Sequence, residues 1–372
     1  MKIIIALDSF KGSMTAAEAC EIVSAAIKSK YPTIITILKP MADGGEGTAK
    51  AMIVARGGKW ITKKVMGPLP EMEVEAGFAW LEKAKEAVVE MAAASGIELL
   101  KREQLNPLKT TTYGTGQLIK AACEYGARKV LLAVGGSATV DCGVGAAMAL
   151  GWKFLDSNNI STGFGGGELN KAASIVKPED LKLPDIEVLC DVNNPLCGEK
   201  GAAKIFGPQK GATPEMVELL EKGLSHIADK IKKQTGKDIK NMPGAGAAGG
   251  LSAGAVAFMN AKLVSGVDTI IKEIQLENCM LDADWVITGE GSFDHQSLNG
   301  KVVSGIINIA KKTNTKVAVI AGGVTLPEQE YQSAGVRKAI ACRKAGMTLE
   351  YAIANCRELL AAAAVEFVDL IK

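Results

Sequence analysis

Residues 284–304 read DWVITGEGSFDHQSLNGKVVS. The run Trp285–Ile287 is short and apolar. Thr288-Gly289-Glu290-Gly291-Ser292 then forms a turn carrying an acid, Asp294 adds a second, and Gly300-Lys301 leads into a helix-like segment from Val302. Strand, glycine turn, then lysine at a helix entrance is the pattern of a parallel α/β sheet, which puts ligand sites at the carboxyl ends of its strands. Two carboxylates and a lysine among glycines point to polyanion and metal chemistry.

The same rhythm opens the chain. Residues 2–7 are an apolar run without alternation, as in a strand buried on both faces. Asp8-Ser9-Phe10-Lys11-Gly12-Ser13 follows, and Thr15 with Glu18 predicts a capping box for a helix over 16–29. Residues 34–38 predict a second strand, then a glycine-rich turn, Asp43-Gly44-Gly45-Glu46-Gly47-Thr48, and a helix to about Arg56. Residues 59–66, 73–80 and 86–91 instead read as strands with short connections, so a boundary is placed near Gly57-Gly58. Later segments predict a helix at 115–125, a strand at 129–134, a strand ending at Cys190-Asp191 and a charged helix at 214–235. Strands at 285–287, 317–320 and 337–341 and a helix at 349–371 restore the βα order. Two early and three late strands predict a doubly wound parallel sheet over 1–58 and 243–372, with a second α/β domain, 59–242, inserted in it. The Gly/Ala-rich 243–260 is expected to be a close-packed turn and helix, since it is too short and too poor in Leu and Ile to span a membrane.

Composition narrows the function. The 372 residues carry a net charge of +2 and 5% aromatics, which disfavours a nucleic-acid binder. Eight dispersed cysteines form no C-x-x-C pair and are expected to be reduced thiols of a cytoplasmic protein. The early Asp8 argues against a secretory leader. Two histidines cannot build a three-histidine metal site; His226 is expected to be structural and His295 a solvated or packing residue. No segment fits a P-loop. Gly244-Ala-Gly246-Ala-Ala-Gly249 matches G-x-G-x-x-G but follows no strand, so close backbone packing is the better reading.

Each polar turn has two readings. Asp8, Lys11 and Ser13 are a helix cap or an anion cradle. Asp43 and Glu46 are turn acids, magnesium ligands or acceptors of a hydroxyl proton, and Gly44-Gly45 suggests close approach to a ligand. Gly135-Gly136-Ser137-Ala138-Thr139 offers amides and hydroxyls to an anion. Asp191 with Asn193 is a turn or a metal-ligating pair, and Lys210, between glycines, is a loop residue or a phosphate clamp.

Together, Asp8–Ser13, Ala42–Thr48, Gly135–Thr139, Cys190–Leu196, Phe206–Ala212 and Thr288–Gly291 through Gly300-Lys301 resemble the class I glycerate kinase family. The resemblance implies ATP- and Mg2+-dependent phosphorylation of D-glycerate, with 2-phosphoglycerate favoured over 3-phosphoglycerate, on a flavodoxin-like domain carrying an inserted α/β domain. Val140, Cys142 and Ser292 depart from the family pattern, where Asn, Gly and Arg are usual. On this reading Asp191 (the favoured base), Lys11, Asp43, Glu290 and Asp294 are the catalytic candidates. Ser9, Ser13, Gly44, Gly45, Ser137, Thr139, Asn193, Lys210 and Lys301 bind substrate or phosphate. Asp43, Glu46 and Asp191 are candidate metal ligands. The site is expected in a cleft between the domains of a monomer or homodimer, with neither nucleic acid nor membrane as partner. The rival functions are a kinase for another small hydroxy acid and a nucleotide-binding regulator without catalysis.

Overall fold

The computed structural model describes residues 1–298 and 302–372. Lys301, assigned above to phosphate, lies outside the described residues. The chain forms two compact units. The first comprises 1–43, 50–57 and 267–372, the second 44–49 and 58–266.

The first unit is built on a five-stranded sheet in the order Val336–Ala341, Lys316–Ala321, Trp285–Gly289, Lys2–Leu7, Ile35–Leu38. Every pairing is parallel, with Ile5 facing both Ile287 and Leu38. The unalternating Lys2–Leu7 sequence has its reason here, since Ile3 through Leu7 are all buried. Ile3, Ile5, Leu7, Ile287 and Ile320 pack in one cluster with residues of two helices, Ala16–Lys30 and Cys356–Ile371. A further helix, Val302–Thr313, buries Val302, Val303, Ile306 and Ile307 and contacts the strands Trp285–Gly289 and Lys316–Ala321. The Thr15–Glu18 capping box is present. The helix expected over 349–371 is divided at Asn355 into Leu349–Ala354 and Cys356–Ile371.

Counted along the chain, the strands of this unit lie in the order 2-1-3-4-5. The connections reverse direction between the first and third strands. In an open α/β sheet that switch point leaves a crevice at the carboxyl ends of those two strands. Asp8 follows the first and Glu290 the third.

The second unit has a six-stranded mixed sheet. Lys59–Met66, Glu73–Leu81 and Glu86–Glu90 pair antiparallel; Lys129–Ala133, Asp185–Leu189 and Lys262–Val264 then extend the sheet in parallel. Its core includes Phe78, Trp80, Leu118, Val130, Val188, Leu224 and Phe258.

The later boundary lies at Gly266–Val267, not at 242–243. The Lys262–Val264 strand hydrogen-bonds to Asp185–Leu189, and the helix Leu251–Met259 is buried in the core of the second unit. A three-residue edge strand has too little periodicity to announce itself in sequence. Gly249, in the G-x-G-x-x-G match, has φ +64°, and a Cβ there would lie 1.9 Å from the Thr139 carbonyl oxygen. Backbone packing explains that glycine.

All eight cysteines are free thiols. Among the described residues no helix is long and apolar enough to cross a membrane.

Candidate active site

In the first unit the turn after the Lys2–Leu7 strand is held by its apolar residues. Phe10 and Met14 are buried in the core cluster and bridge through their backbones, with Phe10 N–H to Met14 O at 3.0 Å. This anchoring presents Lys11 at the tip, where its side chain is 82% exposed and its Nζ lies 3.8 Å from Asp43 Oδ2. Ser9 and Ser13 are half-buried on the same turn. The capping box engages one first-turn donor of the following helix, Glu18 N–H to Thr15 Oγ1 at 3.3 Å, and the N-cap donor, Thr15 N–H to Glu18 Oε2 at 2.9 Å.

Asp8, which the sequence places in a helix cap or an anion cradle, is the buried acid of this turn. It is only 8% exposed. Its N–H donates to Gly289 O at 2.9 Å, and its Oδ1 accepts from Ser9 N–H at 2.6 Å. Burial pushes its carboxyl up to about 7. The charges of Asp43 and Glu290 push the same way, while the Ser9 amide and Lys11 oppose them. Three carboxylates from three strand ends therefore act on one another beside a lysine. A carboxyl poised near neutrality is what a general base requires.

Glu290 is half-buried. Asp294 serves its own turn. Its Oδ1 accepts from Gln296 N–H at 2.8 Å and Ser297 N–H at 3.3 Å, which fixes the short 3-10 turn His295–Leu298. His295 is exposed and 3.5 Å from Glu330, and Ser292 is exposed on a two-residue strand.

In the second unit, Gly44 and Gly45 have a packing reason. A Cβ on Gly44 would lie 2.9 Å from Leu189 Cβ, and one on Gly135 would lie 2.6 Å from Gly45 Cα. The Gly44 carbonyl accepts from Val134 N–H at 3.0 Å. Thr48 caps its turn through Gly45 O at 2.7 Å, and buried Glu90 accepts from Ala49 N–H at 2.7 Å at the start of the helix Thr48–Arg56. Glu90 closes a strand among apolar residues, and nothing local in the sequence marks it as the partner of a helix start. Glu46 is exposed.

Ser137, Thr139 and Lys210 are brought together. Lys210 is 1% exposed and lies beneath the 135–139 turn, its Nζ donating to Ser137 Oγ and Thr139 O at 2.7 Å each. Burial lowers its pKa to about 7, opposed by the charge of Asp141. Asp141 is itself buried and accepts from Thr112 N–H at 2.8 Å, Thr112 Oγ1 at 2.9 Å, Gly143 N–H at 3.1 Å and Gly145 N–H at 3.3 Å. Burial pushes its carboxyl up, and these bonds counter the rise. Val140 and Cys142 are fully buried, and Cys142 has φ +54°. The glycine usual there in the resembled family therefore has a backbone reason.

Asp191 Oδ1 accepts from Ser265 Oγ at 3.0 Å and Gly266 N–H at 2.9 Å, at the residue where the helix Gly266–Glu273 begins. Asn193 is exposed. His226 is structural as expected, with its Nε2 2.7 Å from Ala172 O.

The sequence model of the Glycerate kinase family matches residues 3–372. This chain belongs to the glycerate kinase family. Escherichia coli "Glycerate 2-kinase" is 46% identical over 87% of this chain and 86% of its own length. Bacillus subtilis "Glycerate kinase" is 41% identical over 100% of this chain and 98% of its own. A crystal structure described as "putative glycerate kinase 2 from Salmonella typhimurium LT2" superposes with a TM-score of 0.87 at 40% identity, covering 100% of this chain and 98% of that one. The expectation of an enzyme, a glycerate kinase, agrees with these relatives. Within the glycerate kinase family framework, the acids at the switch point and the lysine beside them are the groups to explain.

Proposed function

We propose that this chain transfers the γ-phosphoryl group of ATP to D-glycerate and yields 2-phosphoglycerate in preference to 3-phosphoglycerate. The observation that carries the reading is the group Asp8, Asp43 and Glu290 beside Lys11, at strand ends around the switch point of a parallel sheet. Phosphoryl transfer needs positioning and charge compensation more than covalent chemistry. Lys11, exposed at the tip of an anchored turn, offsets phosphate or carboxylate charge. Asp8 takes the proton of the attacked hydroxyl, which its buried, near-neutral carboxyl suits. It replaces Asp191 in that role, because Asp191 already holds Ser265 and Gly266. The name of the Escherichia coli relative supports the 2-hydroxyl as acceptor.

Among the described residues no group of three or more His, Cys, Asp or Glu could hold a metal ion. Mg2+ in such enzymes commonly takes one or two protein carboxylates and fills its shell with phosphate oxygens and water, so Asp43 with Glu290 suits it. Bound with the nucleotide, Mg2+ would neutralise charge on the transferring phosphate. Glu46 and Asp191 stay candidates on sequence grounds alone. The flavodoxin-like description of the first unit, the shared cleft, the cytoplasmic location and the monomeric or homodimeric state belong to the same proposal.

The test is ADP release across a panel of small hydroxy acids, followed by phosphorus NMR of the product. D-glycerate is expected to give the fastest turnover and a phosphorus signal coupled to the C2 proton. No response to D-glycerate would end the assignment, and a signal coupled to the C3 protons would move the acceptor.

A further inference from the structure

Lys210 is a buried ammonium whose hydrogen-bond partners are both neutral. Its Nζ donates to Ser137 Oγ and Thr139 O, and among the described residues no carboxylate forms an ion pair with it. The titratable group whose charge reaches it is Asp141, and Asp141 is committed to Thr112, Gly143 and Gly145. Burying a cation against neutral acceptors is costly, so such an arrangement calls for a further use. A second buried group is also short of a partner: Thr139 Oγ1 is fully buried and makes no hydrogen bond.

The geometry constrains Ser137. Its Oγ accepts from Lys210, so its own hydroxyl proton points to another acceptor. Ser137 is half-buried, and the adjacent Gly136 is exposed with φ +75°. The turn is held in place by Ala138 N–H to Ser95 O at 3.0 Å and Ile97 N–H to Gly136 O at 2.8 Å. A fixed turn therefore holds a hydroxyl polarised from below by an ammonium and able to donate outward. An acceptor that carries negative charge would favour the protonated lysine.

We propose that Lys210 is a positioning residue that acts through Ser137, so that the Ser137 hydroxyl donates to an anionic oxygen of a substrate, either an ATP phosphate or the glycerate carboxylate. The proposal rests on the kinase reading above and deepens it. It also gives a pH dependence. An anion at Ser137 favours the charged lysine, so affinity is highest while Lys210 is protonated and falls as pH rises through about 7.

The experiment measures kcat and KM for ATP and for D-glycerate from pH 6 to 9 in wild type, Ser137→Ala, Lys210→Met and the double variant. KM for one of the two substrates is expected to rise about tenfold or more in each single variant, a scale set by the loss of a charge-assisted hydrogen bond. The substrate affected tells phosphate from carboxylate. The double variant is expected to be no worse than the poorer single one, and the rise of that KM above pH 7 is expected to vanish in Ser137→Ala. KM values within twofold of wild type for both substrates in Ser137→Ala, or additive losses in the double variant, would overturn the proposal. If Lys210→Met does not fold, the pH profile of Ser137→Ala decides alone. If wild type does not phosphorylate D-glycerate, the kinase reading fails separately. Calorimetric binding of ADP and of inorganic phosphate then decides: weaker binding to Ser137→Ala supports the proposal, and equal binding overturns it.

Discussion

The backbone N–H of Asp8 donates to the Gly289 carbonyl at 2.9 Å. This bond continues the pairing of the first and third strands one residue past their ends, and it holds the Asp8 carboxyl at the switch point beside the turn that bears Glu290. The backbone of the acid is thus fixed by the sheet, and its carboxyl is held by the Ser9 N–H of the loop that follows.

Replacing Asp8 by Asn should lower kcat by about 10²-fold or more, the scale on which a general base contributes. The same change should stabilise the protein. The folded pKa of about 7 stands above the ordinary 3.8, so the stability linked to protonation is complete below pH 4 and lost as pH rises through 7. The advantage of Asp8→Asn over wild type should therefore widen from pH 5 to pH 8, reaching on the order of 1–4 kcal/mol. Urea unfolding at the two pH values, without divalent cations, measures it.

Lys11→Ala should cut kcat/KM about tenfold to a hundredfold by removing charge compensation. The side chain is exposed, so stability should stay within about 0.5 kcal/mol. Steady-state kinetics and thermal unfolding of one preparation separate the two effects.

Asp191→Asn should keep kcat within about tenfold of wild type, far from the fall expected of a base. An Asn side chain retains an oxygen to accept from Ser265 and Gly266, as Asp191 Oδ1 does now. Its stability cost should stay near or below about 1 kcal/mol. A hundredfold loss of kcat with normal stability would return the base to Asp191.

Asp141→Asn should destabilise by about 2–4 kcal/mol, because an amide turns one acceptor into a donor facing N–H groups inside a closed network. Thr112, Gly143 and Gly145 all donate to this carboxylate. Chemical denaturation gives the value.

The parallel strands were legible because burial on both faces writes a continuous apolar run, as in Lys2–Leu7. The capping box was legible because its two side chains are three residues apart. The burial of Lys210 was not legible, because a lysine between glycines reads equally as a loop residue or a phosphate clamp. Its burial is set by a turn 73 residues earlier in the chain, where Ser137 lies. Asp8 reads in sequence as part of a helix cap or an anion cradle, but its raised pKa depends on burial and on Asp43 and Glu290, which only the folded sheet brings to it. The second-unit membership of residues 243–266 depended likewise on a pairing between Lys262–Val264 and a strand far behind it.

The central position of the Lys2–Leu7 strand has a consequence for synthesis on the ribosome. One of its two neighbours, Trp285–Gly289, is made only after the whole second unit, and Lys2 N–H meets the Asp284 carboxylate across 282 residues of chain. The second unit holds its six strands in one uninterrupted run and can begin to fold as it emerges. Meanwhile the Ile3-Ile4-Ile5 edge waits half-paired in the growing polypeptide. Slowed translation after residue 266 should prolong that exposure and increase the demand for chaperones that shield apolar β-edges.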